Sequence, residues 1–266
     1  MPMNPNTLIA TLSISTYLAS ALLILRHTRQ RQRSRSALYL AWLAVGCHFL
    51  FTGLMFHQNN GFNFSFFSAT SLVAMIVALL LLIAALNNPV DNLGIAIFPT
   101  AAIMLGLELN LAHNTAPSDY NWAMATHILT SIIAFSLLNI AALQAILLAI
   151  QDQQLKSHPP KRLIQSLPPL QTMETLLFQM LMTGILFLTI ALISGFLFIE
   201  DLFAQHLVHK TVLSILAWLI FTGLLLGRKR YGWRGQIAIQ WTLIGFVSLL
   251  LAYFGSKLVL ELILHR

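Results

Sequence analysis

Eight runs of predominantly apolar residues, each long enough to cross a bilayer, constrain this chain more than any other feature of its sequence. The runs cover residues 7–25, 37–56, 67–86, 94–111, 123–150, 174–199, 209–227 and 237–262. A membrane-spanning helix needs about 20 such residues, because the hydrocarbon core is about 30 Å thick. We therefore predict an all-α polytopic membrane protein, a bundle of eight transmembrane helices forming a single domain over residues 1–266.

The composition agrees with a lipid environment. Only 9% of the residues are charged, whereas soluble domains contain about 25%. The formal net charge of +7 does not indicate nucleic-acid binding, because the basic residues lie in short loops between the apolar runs. Membrane lipids are the expected surroundings.

The distribution of basic residues predicts the orientation of the helices. The loops 26–36, 151–173 and 228–236 contain twelve of the fifteen lysine and arginine residues. In an eight-span arrangement these loops lie on one side, which the positive-inside rule makes cytoplasmic. Five arginines follow the first run and no basic residue precedes it, so we expect a retained span. Both termini are predicted to lie outside the cytoplasm.

Sequence motifs for soluble catalytic chemistry are absent. There is no His-Glu-x-x-His zinc motif, no Walker loop and no nucleophile elbow, and Cys47 is the only cysteine. Glu108 is an isolated acidic residue within a span, and the lack of a buried series of carboxylates argues against an ion-coupled carrier.

His48 lies near the middle of the second span, where a polar side chain is costly and by default suggests a functional site. Two interpretations remain open for it. Its neutral imidazole is hydrogen-bonded to a carbonyl of a neighbouring helix, or it contacts a haem or a quinone.

Two histidines at the outer ends of long helices are the best candidates for iron ligands. His127 lies near the start of span five and His209 at the start of span seven, so we expect both at a similar depth. Neutral imidazole is a standard axial ligand of haem iron. Lys210 could neutralise a haem propionate, and Trp218 faces either a neighbouring helix or a bound ring. The outer histidines that we interpret as solvated loop residues are His57, His113 and His206.

The C-terminal half resembles a known family of membrane proteins. The stretch HKTVLSILAW…GRKRYGWRG…LAYFGSK is similar to the last two spans of the cytochrome c assembly proteins of the CcsA, CcmC and HemX type, and most similar to their small YpjD-like inner-membrane members. The spacing from His127 to Ser131 resembles the family's external histidine helix. Ile193-Ser194-Gly195 resembles the helix before its haem-handling loop.

The resemblance implies a bacterial inner (cytoplasmic) membrane protein that binds haem, expected as non-covalent haem b, at the outer face. It implies a part in cytochrome c maturation or in regulating haem synthesis. The segment from Glu200 to Val208 contains no tryptophan and no WWD signature, and no large soluble domain is present. We therefore expect haem binding without enzymatic attachment of haem.

An alternative is a non-catalytic subunit that stabilises another membrane protein, either one of cytochrome c maturation or a transporter. Gly223 and Gly227 share one face of the seventh span, which permits close approach of another helix. Alternatively, they are present only because transmembrane helices tolerate glycine. Co-purification of a stoichiometric partner without haem would favour the stabilising subunit. A small-solute transporter is a weaker third interpretation, because the sequence lacks broken helices.

Overall fold

The structure, a computed structural model, describes residues 5–29, 35–58, 65–111, 122–156, 167–198 and 208–255. The helices are α1 (Pro5–Arg29), α2 (Arg35–Gln58), α3 (Phe66–Asn87), α4 (Gly94–Leu111), α5 (Trp122–Lys156), α6 (Leu170–Phe198), α7 (Val208–Tyr231) and α8 (Gln236–Leu250). A 3-10 turn, Asp91–Leu93, precedes α4, and a π-helical turn, Leu251–Gly255, continues α8. All eight helices are long and apolar enough to cross a membrane, so the predicted number of spans is confirmed.

The helix ends follow local chemistry. Helix α6 begins at Leu170, directly after Pro168 and Pro169, because proline is favoured before the first helical turn and disfavoured in a helix interior. Helix α5 has 35 residues and is therefore about 52 Å long, which exceeds the hydrocarbon thickness. Its polar last turns extend towards the predicted cytoplasmic side. The predicted end of the eighth span, at 262, lies outside the described residues. The location of the termini stays a prediction.

The first four helices form one compact unit. Helix α1 packs against α2 and α4, and α3 packs against the same two helices, which closes a four-helix ring. The α1–α2 contact is close because alanines line it. Ser13 Oγ donates to the Ala44 carbonyl at 2.8 Å, and Ser20 Oγ donates to the Ala37 carbonyl at 2.7 Å. Such hydroxyl-to-backbone bonds hold membrane helices together.

The last four helices form a second compact unit with the same ring of contacts. Gly184 on α6 permits close approach to α5, because a Cβ there would lie 2.8 Å from Leu138. On the α7–α8 contact, a Cβ at Gly245 would lie 2.8 Å from Phe221. The two four-helix units are described separately, and the single domain over residues 1–266 stays a prediction.

The predicted helix contact through Gly223 and Gly227 is wrong. No atom lies within 4 Å of a Cβ built on Gly223. Gly227 is covered by the indole ring of Trp233, which belongs to the turn after the same helix rather than to a neighbouring span. Glycine spacing on one face is necessary for close helix packing but does not select the partner.

Candidate cofactor site

The start of α5 and the end of α6 meet at one end of the second unit, which we call the histidine end. It is defined by Trp122, His127, Ser194, Gly195 and His209. The rings of Trp122 and Phe198 contact each other edge-on, with centroids 5.6 Å apart. The opposite end of the unit holds the α7–α8 turn, where the Gln236 amide donates to Asp152 of α5 at 2.7 Å.

His127 is half-buried and fixed against α6 by its Nδ1 atom. This nitrogen lies 2.9 Å from the Ala191 carbonyl oxygen and 3.3 Å from Ser194 Oγ. A carbonyl oxygen can only accept a hydrogen bond, so Nδ1 must carry the hydrogen. In the neutral imidazole the lone pair is then on Nε2. Metal-binding histidines commonly have this arrangement, in which the second ring nitrogen donates to a carbonyl.

The His127 ring fits closely against α6 because residue 195 is glycine. A Cβ at Gly195 would lie 2.9 Å from His127 Cε1 and 3.2 Å from Nδ1, but 3.8 Å from Nε2. The Nδ1 edge is therefore packed against the helix more tightly than the Nε2 edge. The Ser194 hydroxyl donates to the Ala191 carbonyl at 3.0 Å, so this one carbonyl receives two donors.

His209 lies at the same end of the unit as His127. The indole nitrogen of Trp218 donates to Thr189 Oγ1 at 2.9 Å, which aligns α7 with α6. From that contact His209 is nine residues up α7, or about 13 Å at 1.5 Å per residue. Gly195 is six residues up α6, or about 9 Å. The two histidines thus lie within about one helical turn in depth.

The exposure of His209 and Lys210 differs from that of His127. The side chain of His209 is exposed, and that of Lys210 is half-buried beside it. Both belong to the first turn of α7. Coordination of one iron by His127 and His209, with Lys210 at a propionate, stays a prediction.

Trp218 lies deeper than the histidine end, and its polar atom has a protein partner. Its N–H donates to Thr189 of α6. Of the two interpretations, contact with a neighbouring helix is therefore the one that the structure contains. The indole remains partly exposed. Its contact with a cofactor ring stays a prediction.

His48 belongs to the first unit and is completely buried. Its Nδ1 lies 3.4 Å from the Tyr17 hydroxyl on α1, and its Nε2 lies 3.1 Å from Ser71 Oγ on α3. Its partners are hydroxyls from two helices rather than the carbonyl that we expected. Because both ring nitrogens are engaged, this histidine ties three helices together, and a cofactor contact for it stays a prediction.

The other candidate groups belong to the first unit or lie outside the described residues. His57 is exposed in the last turn of α2, in the first unit. His113 and His206 lie outside the part of the chain that the structure describes. Within that part, no group of three or more histidine, cysteine or acidic side chains is placed to hold a metal ion.

The partners of His127 could not be identified from sequence reasoning alone. The Ala191 carbonyl belongs to the backbone, so no residue type reports it. The family resemblance includes Ser194 and Gly195, but only the structure shows that they contact His127.

A haem fits the donor chemistry of this end. Haem iron takes an axial imidazole nitrogen, and the tautomer set by Ala191 leaves such a nitrogen on His127. Haem iron needs only one or two ligands from the protein. The lack of a three-residue metal-binding cluster among the described residues is therefore compatible with haem binding.

Comparisons with known proteins identify a family and several relatives of this chain. Residues 32–264 match the family model of the cytochrome C assembly protein. The chain is 33% identical to the inner membrane protein YpjD of Escherichia coli K12 over 96% of its own length and 98% of that protein. It is 34% identical to an uncharacterised protein of Azospirillum brasilense over 52% of each chain.

A more distant relative is the cytochrome c biogenesis protein CcsA of Chlamydomonas reinhardtii, with 28% identity over 60% of this chain and 45% of that protein. No solved structure matches the chain. The family match covers most of the sequence, and the similarity to the Escherichia coli inner membrane protein covers nearly all of it. The chain therefore belongs to the cytochrome c assembly protein family.

Proposed function

We propose that this chain is a haem-binding inner-membrane protein that handles haem at the outer face during cytochrome c maturation or in the regulation of haem synthesis. Non-covalent haem b binds at the histidine end. His127 is one axial ligand and His209 the other, and Lys210 neutralises a propionate. Haem would supply an iron that accepts imidazole nitrogen on both sides of the porphyrin plane.

The observation that carries the proposal is the hydrogen bond from His127 Nδ1 to the Ala191 carbonyl. It leaves the Nε2 lone pair of a half-buried imidazole available, and it holds the ring in one orientation. A preset orientation lowers the conformational entropy lost on binding. His48 has hydroxyl partners at both ring nitrogens and offers no comparable atom. The Nδ1 atom of His27 also bonds to a carbonyl, that of Leu23 at 2.8 Å, but His27 lies near the end of α1, in the first unit.

The relatives support the biological setting. One relative is named an inner membrane protein, and another is named a cytochrome c biogenesis protein. Membership of the cytochrome c assembly family connects this chain with the same process. The absence of tryptophan between Glu200 and Val208 supports haem binding without covalent attachment, so we propose that the protein is not an enzyme.

The proposal is tested by titrating haem into the protein purified in detergent and recording the absorption spectrum. We expect a Soret band with the α and β bands of a six-coordinate haem after reduction. His127→Ala should abolish the band or convert the spectrum to that of a five-coordinate haem. His209→Ala should give a five-coordinate haem that still binds through His127.

His57→Ala is the matched control, because His57 is an exposed histidine in the first unit and its loss should leave the spectrum unchanged. A spectrum that is equally insensitive to loss of His127 and of His209 would refute the proposed ligands. A protein that takes up no haem but co-purifies with a stoichiometric membrane partner would favour the alternative of a stabilising subunit.

A further inference from the structure

The end of the second unit opposite the histidine end carries unbalanced positive charge. We define the basic turn as residues 228–235, which are the last four residues of α7 and the turn before α8. Its four cationic side chains form no ion pair with a carboxylate of the described residues; they are Arg228, Lys229, Arg230 and Arg234. The nearby carboxylates already have other donors. Glu174 accepts from the Gly235 N–H at 3.0 Å, and Asp152 accepts from Lys156 and Gln236.

Arg228 is the most constrained of these cations. Its guanidinium carbon lies 3.6 Å from the ring centroid of Phe178 on α6, a cation–π contact. Its Nη1 atom is buried and has no hydrogen-bond partner among the described residues. A charged donor without an acceptor is costly. The side chain as a whole is only half-buried, so a shift of the guanidinium towards an anionic group outside the protein would relieve this cost.

An aromatic stack adjoins Arg228 at the same end. The ring of Trp233 lies 6.3 Å from Tyr231 and 5.5 Å from Trp241. Trp233 folds back over Gly227, which has no side chain to prevent it. Tryptophan and tyrosine are enriched at the level of the lipid headgroups. The stack therefore indicates that Arg228 lies at headgroup depth.

An exposed apolar strip begins directly below this point. Met182 and Leu186 follow Phe178 at four-residue intervals on α6, and their side chains are 62% and 59% exposed. Leu226 on α7 is also exposed. Residues four apart share one face of a helix, so a long apolar chain along α6 would contact Met182 and Leu186. Phe178 itself is buried and is contacted by Arg228.

We propose that Arg228 and the basic turn bind the phosphate of an anionic phospholipid, whose acyl chain lies along Met182 and Leu186. The guanidinium presents a planar set of donors that matches a phosphate. The four cations favour a lipid with net negative charge over a zwitterionic one, because Glu174 is bonded to the Gly235 N–H and Asp152 is paired with Lys156. The joined apolar strip favours a lipid over a free phosphate. This site is independent of the haem proposal and lies at the other end of the unit.

The test is native mass spectrometry of the delipidated full-length protein, titrated with dioleoylphosphatidylglycerol or dioleoylphosphatidylcholine. We expect the wild type to bind the anionic lipid about tenfold more tightly than the zwitterionic lipid. Arg228→Gln should remove most of this preference. Arg35→Gln, which removes an exposed cation from the first unit, is the matched control and should retain it.

The proposal would be overturned by a wild type without preference for the anionic lipid, or by an Arg228→Gln variant that binds it as tightly as the Arg35→Gln control. The wild-type comparison keeps the proposal testable if the Arg228 variant does not fold. Displacement of the lipid by millimolar inorganic phosphate would show that the site recognises free phosphate, which would also contradict it.

Discussion

The two four-helix units differ in how they use a histidine. In the first unit His48 is fully buried, and hydroxyls from α1 and α3 lie at its two ring nitrogens. In the second unit His127 is half-buried, and the neighbouring helix engages only its Nδ1. The same residue type therefore links helices in one unit and presents an available nitrogen at the end of the other.

The role of a histidine within a span therefore depends on whether its second ring nitrogen is already hydrogen-bonded. A histidine with both nitrogens engaged satisfies the requirement that buried polar groups be paired. A histidine with one nitrogen bonded to a carbonyl is oriented but can still bind a metal. Loss of His48 should therefore affect stability, whereas loss of His127 should affect ligand binding.

The largest expected effect is on stability. His48→Ala removes the partner of Tyr17 and one of the two partners of Ser71, which also bonds to Glu108, and it opens a cavity between three helices. Each buried group left unpaired costs about 1–3 kcal/mol, so we expect the free energy of unfolding to fall by about 3 kcal/mol or more. Denaturant unfolding in detergent measures the change. His57→Ala should stay within about 0.5 kcal/mol of the wild type. If His48→Ala left stability unchanged but abolished haem binding, His48 would be a ligand-binding residue rather than a link between helices.

The next effect concerns the orientation of His127. Gly195→Ala places a Cβ 2.9 Å from His127 Cε1, so the ring must move away from α6 and lengthen its bond to Ala191. Overpacking of this kind costs about 1–3 kcal/mol, which corresponds to about tenfold weaker haem binding. Absorption titration measures the affinity.

Gly223→Ala is the matched control for this substitution, because no atom lies within 4 Å of the added methyl group. It should leave haem affinity unchanged and increase helix stability by up to about 1 kcal/mol. Equal haem affinity in the two glycine variants would show that the packing of His127 on Gly195 does not matter for binding.

A smaller effect is expected at the α6–α7 contact that aligns His209 with His127. Trp218→Phe removes the hydrogen bond to Thr189, which should reduce the free energy of unfolding by about 1 kcal/mol. A double-mutant cycle with Thr189→Val isolates the coupling between the two side chains. Additive effects of the two substitutions would mean that this bond does not hold the helices in register.

The smallest effect is expected for Ser194→Ala. The Ser194 hydroxyl bonds to the Ala191 carbonyl and lies at the long distance of 3.3 Å from His127 Nδ1. Its loss should cost about 0.5 kcal/mol and leave the Soret band in place, because Ala191 still orients the ring. A loss of the band as complete as that of His127→Ala would show that the hydroxyl, rather than the carbonyl, sets the tautomer.

Much of the fold was predictable because the bilayer imposes a length on each helix. Backbone groups in hydrocarbon must be paired within the helix, so an apolar run of sufficient length specifies a span without knowledge of its neighbours. The partners of side chains, in contrast, cannot be predicted from the hydropathy or spacing of one segment. Gly223 and Gly227 share a face, yet only Gly227 is covered, and by Trp233 rather than by another span.

The sequence by itself determined the helical class, the eight spans and the positions of the histidines, because hydropathy and residue identity are local properties. The tertiary structure decided which histidine keeps a nitrogen available. His48 lies near the middle of its run and His127 near the start of another, but neither position reveals the hydrogen-bond partners of the two rings. Hydroxyls on α1 and α3 enclose His48, whereas a backbone carbonyl of α6 orients His127. These contacts join residues distant in sequence, so packing alone creates the difference.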